Sequence, residues 1–156
     1  MATQQNQISL YQVSEINLTY RPKFKASERP KITSSKDAYE ILYNNWDLDK
    51  IELLEQFKIL LLNRANNVIG IFQVSSGGVA GTVADAKLIF STALKACASS
   101  IILSHNHPSG NLQPSPQDIE LTKKIKTGGS YLDIMVLDHV IITPDRYYSF
   151  ADEGMI

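Results

Sequence analysis

Apolar positions along this chain switch between helical and strand-like spacing, and the switches mark its elements. In the run SSKDAYEILYNNW, Ala38, Ile41, Leu42 and Trp46 fall three or four apart, the stripe of an amphipathic helix, with Ser34 and Asp37 placed to cap its start. The runs FKILLLN (57–63) and VIGIFQV (68–74) are short and rich in leucine and β-branched residues. They are joined by RANN, whose asparagines tolerate the left-handed backbone of a tight turn, so the pair predicts a β-hairpin. Helical spacing returns from Asp85 to Cys97, where Ala86, Ile89, Phe90, Ala93, Leu94 and Cys97 share one face; this predicts a helix with Cys97 turned inward. SSIIL follows as a strand buried on both faces, running directly into Ser104 and two histidines. A second helix is expected from Pro116, because proline suits the first helical position, and the glycines at 128 and 129 are expected to end it. YLDIMVLD and HVIIT then read as two strands, with PDRYY turning into a last short strand, YYSF. The order of elements is mixed α/β, with helices interrupting a sheet rather than a strict βαβ alternation.

Residues 1–33 carry no such periodicity. They mix Gln, Asn and a basic stretch in which Pro22 and Pro30 argue against helix, and they read as an extended arm, with one early strand at ISLYQV, before a single domain over 34–156. A chain of 156 residues that is 44% apolar suits one core of ordinary size. Fifteen basic residues against sixteen acidic ones leave a formal charge of -1, so the cationic surface that drives non-specific nucleic-acid binding is absent overall. Any such binding would be local to the arm, where Arg21, Lys23, Lys25, Arg29 and Lys31 accompany Tyr20 and Phe24, which are available to stack on bases. An ordinary solvated basic segment is the competing reading, and the near-neutral total favours it. One cysteine, Cys97, excludes an intramolecular disulfide framework and a multi-cysteine zinc site, and it reads as a reduced, buried thiol. It also disfavours the zinc deaminases, which need a cysteine pair. The N-terminus has no basic region followed by an apolar run, and no stretch approaches the roughly 18 apolar residues of a membrane span, so a cytoplasmic protein without a membrane segment is expected.

The chemistry concentrates in SHNHPSGNLQPSPQD, residues 104–118. Side chains alternate along extended backbone, so His105 and His107 project to one side and Asn106 to the other. Pro108 stops the strand, and the loop to Ser115 is long enough to start the next helix beside the histidines, within reach of Asp118. Two neutral imidazoles and a carboxylate suit zinc and leave a fourth position for water, whose pKa the metal would lower to about 7. Bland alternatives stand beside each residue. The stretch could be a polar surface loop, Ser115 a helix cap, Asp118 a favourable first-turn acid, and His139 in LDHVIIT an ordinary polar residue.

The stretch resembles the JAB/MPN+ (JAMM) metalloprotease motif, H-x-H-P followed by S-x-x-D. It is more similar to the RadC branch of that superfamily, whose H-N-H-P-S-G and P-S-x-x-D stand here as His105 to Gly110 and Pro114 to Asp118. LDHVII looks like the strand that follows in RadC-type chains, and EQFKILLLN looks like the segment that opens with their catalytic glutamate; the resemblance covers roughly residues 35–156. It implies an α/β domain of JAB/MPN type, cytidine-deaminase-like, with a curved mixed β-sheet flanked by helices. It further implies one Zn2+ per chain held by His105, His107 and Asp118, with Glu55 as general acid/base and Ser115 steadying the oxyanion. The implied activity is that of a zinc-dependent, metallopeptidase-like hydrolase of peptide or isopeptide bonds, acting on a peptide or protein substrate. Glu52, one helical turn away, is the competing glutamate, but Glu55 directly precedes the strand-like FKILLLN. The family name also suggests an alternative, a nucleic-acid-binding protein or nuclease of DNA repair and recombination. Two departures stand out: the short arm shows no GxG-type hairpin of the helix-hairpin-helix kind that many RadC-type chains carry before the domain, and GTVADAKLI lacks the Pro-Arg-Glu run common in relatives.

Overall fold

The computed structural model describes residues 12–17, 19–77 and 83–156. Its elements in chain order are α1 (Ser35–Asn44), β1 (Gln56–Leu62), β2 (Val68–Ser76), α2 (Ala86–Lys95), β3 (Ser100–Asn106), α3 (Pro116–Tyr131), β4 (Met135–Ile142) and β5 (Tyr147–Ser149). The strands form one sheet in the order β2-β1-β3-β4-β5, antiparallel except for the parallel β3/β4 pair, so the architecture is the mixed α/β expected. Asn66 takes the left-handed conformation in the β1/β2 turn, with φ of 60°. Among the described residues no helix is long and apolar enough to cross a membrane.

Alternation along the strands feeds two cores. Leu60, Leu62, Ile102, Val140 and Ile142 face α1, packing with Ala38, Leu42, Trp46 and Ile51. Phe57, Ile59, Leu61, Ile101 and Leu103 face the other way, against Ile89 and Ala93 of α2 and Ile125 of α3. Every residue of β1 and β3 is buried, as strands covered on both faces must be. Within the α1 core Lys58 is an exception: its ammonium donates to the Asn45 carbonyl at 3.0 Å and lies 4.5 Å from the Trp46 ring centroid. A cation at the C-terminus of α1 meets the negative end of the helix dipole, although burial pulls the lysine pKa below its ordinary value.

Three expectations need correction. Cys97 is exposed rather than buried, because α2 stops at Lys95 and Cys97 adopts φ of 51° in the turn toward β3; Ala98 takes the buried place instead. The glycines at 128 and 129 do not end α3, which runs on to Tyr131. They allow close approach: a Cβ on Gly128 would lie 2.9 Å from the Phe90 ring, and one on Gly129 would collide with the Ile134 carbonyl. The end of YLDIMVLD, from Met135, and HVIIT up to Ile142 form one strand, β4, with a register shift where Leu137 bulges out between Val136 and Asp138. The polar break at Asp138 does not interrupt it, since its carboxylate accepts from the His139 and Ala151 amides and from the Ser149 hydroxyl.

Among the described residues the arm contains no α-helix, only a single 3-10 turn at Ala26–Glu28. Its end is tied to the hairpin: Val68 N–H donates to Pro30 O, Ile32 N–H donates to Asn66 O, and Ile32 is buried. The strand expected at ISLYQV lies largely outside the described residues, and its described members Gln12 and Val13 are not in a strand.

Candidate metal centre

The centre is assembled at the C-terminal end of β3. His105 pairs with Phe57 of β1, its ring stacked at 6.0 Å, and it is 1% exposed. His107 follows the strand, its amide still bonded to Ile142 O of β4. Gly110, with φ of 76°, then turns the loop so that the Asn111 carbonyl meets His107 Nδ1. The loop ends at Ser115, which caps α3 with Pro116 as the first helical residue. Ser115 and Asp118 form a reciprocal box: the Asp118 amide donates to Ser115 Oγ at 3.1 Å, while the Ser115 amide and hydroxyl both donate to Asp118 Oδ2 at 2.7 Å. That box aims the rest of the Asp118 carboxylate at the histidines.

His105, His107 and Asp118 thus offer three ligand atoms within 4.8 Å of one another. His105 Nε2 lies 2.9 Å from His107 Nε2 and 3.3 Å from Asp118 Oδ1, and His107 Nε2 lies 3.7 Å from Asp118 Oδ2. Around a tetrahedral zinc, donor atoms about 2.0–2.2 Å from the ion stand about 3.3 Å apart, which these spacings bracket. The donor chemistry fits as well. A carbonyl can only accept, so in the neutral ring the Asn111 carbonyl holds the proton of His107 on Nδ1 and leaves Nε2 as a bare lone pair facing an acceptor-only carboxylate. Such a cluster attracts a positive charge. Burial alone would lower the pKa of His107, yet the contacts with Asp118 and the Asn111 carbonyl, together with the charges of Asp118 and Glu55, hold it above its ordinary value. For Asp118, burial acts to raise the pKa, but the contacts with His105, His107 and Ser115 keep it far below the usual carboxylate range.

Glu55 lies immediately before β1, half-buried, with its backbone carbonyl accepting from Gly77 N–H at 2.8 Å. It stands outside the three-ligand group, although its charge is felt at His107; Glu52 is exposed in the preceding turn. Asn106, which faces away from the histidines, holds this segment in place. Its Nδ2 donates to Ile51 O at 2.7 Å and Leu54 O at 2.9 Å, and its Oδ1 accepts from Gln56 N–H at 2.7 Å. The strand that supplies His105 therefore also grips the backbone on both sides of Glu55. This role was not legible in the sequence beyond the orientation of Asn106. His139 was missed too: it is fully buried, its Nε2 2.8 Å from His105 Nδ1, and burial pushes its pKa well below the ordinary value.

In the arm, Arg21, Lys23, Lys25 and Lys31 are exposed, as is Phe24, whereas Tyr20 donates its hydroxyl to Ile69 O at 3.2 Å.

Comparison with known proteins matches residues 32–155 to the family model described as a RadC-like JAB domain. A UPF0758 protein of Flavobacterium johnsoniae is 50% identical over 125 residues, which is 80% of this chain and 53% of that protein. UPF0758 proteins of Porphyromonas gingivalis and Methanococcoides burtonii are 41% and 40% identical over 86% and 85% of this chain, and 59% and 57% of their own lengths. The chain spans little more than half the length of these curated relatives.

Proposed function

The chain belongs to the RadC-like JAB domain family, and from that premise we propose that it is a zinc-dependent hydrolase of metallopeptidase type, cutting a peptide or isopeptide bond. The supporting observation is the convergence of His105, His107 and Asp118, with the lone pair of His107 Nε2 facing a carboxylate. These three residues would hold the metal. Bound there, zinc would lower the pKa of a water to about 7 and polarise the carbonyl under attack.

The remaining chemistry belongs to side chains of this chain. Glu55 takes the proton that the attacking water loses and passes it to the leaving amine. Asn106 fixes where Glu55 stands by gripping the backbone on both sides of it. Ser115, whose hydroxyl donates to Asp118, turns that donor to the oxyanion of the tetrahedral intermediate.

Zinc content by elemental analysis, wild type beside His107→Ala, tests the ligand set: metal is expected in the first and lost in the second. The zinc-loaded protein is then assayed on an internally quenched peptide library. Glu55→Gln should keep its zinc while cleavage falls about 10²–10⁴-fold. Absence of zinc from wild type after zinc is added back, or cleavage indifferent to Glu55→Gln, defeats the proposal.

A second reading places nucleic acid along the arm, supported by the exposure of Phe24 beside Arg21, Lys23 and Lys25. It requires binding to single-stranded DNA that weakens steeply with salt, with a slope reduced by substituting Lys23.

A further inference from the structure

Behind the ligand set lies a chain of buried polar contacts. The Thr122 hydroxyl, on the second turn of α3, lies 2.6 Å from the backbone carbonyl of Asp118 and 2.7 Å from His139 Nδ1. His139 Nε2 lies 2.8 Å from His105 Nδ1. The protons on this chain can be arranged in one direction only. The Asp118 carbonyl can only accept, so the one proton of the Thr122 hydroxyl goes to it, and the hydroxyl must in turn accept from His139 Nδ1–H. A neutral His139 with its proton on Nδ1 has a bare Nε2, which accepts from His105 Nδ1–H. His105 is left with a bare Nε2, the nitrogen that points to His107 and Asp118.

We propose that His139 is a positioning residue of the metal centre: with Thr122 it fixes the tautomer of His105 so that Nε2 presents its lone pair to the metal. The inference rests on the metal-site reading above and adds two residues to it. The proton on Nδ1 is the less favoured tautomer of a free neutral imidazole, so something has to impose it, and metal-ligating histidines commonly owe their orientation to such a partner. The surroundings hold His139 rigid. Its ring stacks on Phe150 at a centroid distance of 4.7 Å and meets the edge of Phe57 at 5.6 Å, and its own carbonyl accepts from the Phe150 amide. It is also wholly buried, shut away from solvent. The β4 bulge is what brings it here: the register shift at Leu137 pairs His139 with Leu103, on the face that carries His105.

The test compares wild type with His139→Leu, His139→Gln and Thr122→Val. In the metal-free proteins, long-range 1H–15N correlation spectra report which nitrogen of each imidazole carries the proton. Wild type should show His105 and His139 both protonated on Nδ1, and His105 should lose that preference in His139→Leu. Zinc affinity, read by competition with a chromophoric chelator, should fall about 10–100-fold in His139→Leu. It should recover in His139→Gln, whose amide oxygen can accept from His105, and fall by less in Thr122→Val. Recovery in Gln is what a purely structural role would not produce, and Thr122→Val carries the test if His139→Leu fails to fold. Zinc affinity unchanged in both His139→Leu and Thr122→Val, or a wild-type spectrum with His139 protonated on Nε2, overturns the inference while the metal site stands. Failure of wild type to bind zinc overturns the metal reading, and this inference falls with it.

Discussion

Asn106 does two jobs for one residue. By occupying the position between the histidines it keeps them on the same side of the extended chain, and its amide grips Ile51 O, Leu54 O and Gln56 N–H beside Glu55. Asn106→Ala would leave those groups without their partner in a buried setting, a loss of about 1–3 kcal/mol. We expect a lower urea midpoint and a larger loss of cleavage than of zinc affinity, since the ligands are untouched while Glu55 is released. Equal loss of both would place Asn106 with the metal rather than with Glu55. At this scale the convergence of His105, His107 and Asp118 was legible, because two-residue spacing on a strand and a capped helix start are local rules. The bonds of Asn106 and His139 were not, because their partners lie 50 and 34 residues away.

At the scale of elements, α3 carries the most information. Its start was readable from Ser115, Pro116 and Asp118, and its end was not, because glycine serves both to stop helices and to let them approach other backbone. The two uses make opposite forecasts for Gly129→Ala. If the glycine were merely a weak helix former, alanine would stabilise by about 1 kcal/mol. Because a Cβ there meets the Ile134 carbonyl, a backbone group that cannot swing aside, we expect Gly129→Ala to lower the melting temperature. Gly128→Ala, whose Cβ meets only the Phe90 side chain, should lower it less. Thermal unfolding of the two variants checks the ordering. α2 has the converse history: its apolar face continued by periodicity to Cys97, but the chain had to turn into β3 and left the thiol in solvent.

For the molecule as a whole, Asp138 is the joint that secures the C-terminal segment, through Ser149 and the Ala151 amide, to the sheet. Burial raises its pKa despite the opposing hydrogen bonds, so the folded state holds this proton more tightly than the unfolded chain does. Its contribution linked to pH is therefore fully present below the unfolded value near 3.8 and is lost as pH rises through the folded value. Urea unfolding of chelator-treated protein should show a greater advantage of wild type over Asp138→Asn at about pH 4 than at about pH 7. Other groups titrate in both proteins, so the difference between the two isolates this carboxyl. An advantage that grows toward neutral pH would mean that the hydrogen bonds, not burial, dominate.

The sequence by itself determined the element types, the hairpin, the capped start of α3 and the motif residues that converge, because periodicity, capping and turn chemistry act over a few residues. Only the tertiary structure decided where Cys97 points, that α3 passes through two glycines, that β4 is one strand with a bulge, and that His139 stands behind His105. Those outcomes depend on which strands pair and in what register. A shift of one residue at Leu137 reverses the face of everything after it, and no local pattern encodes that shift.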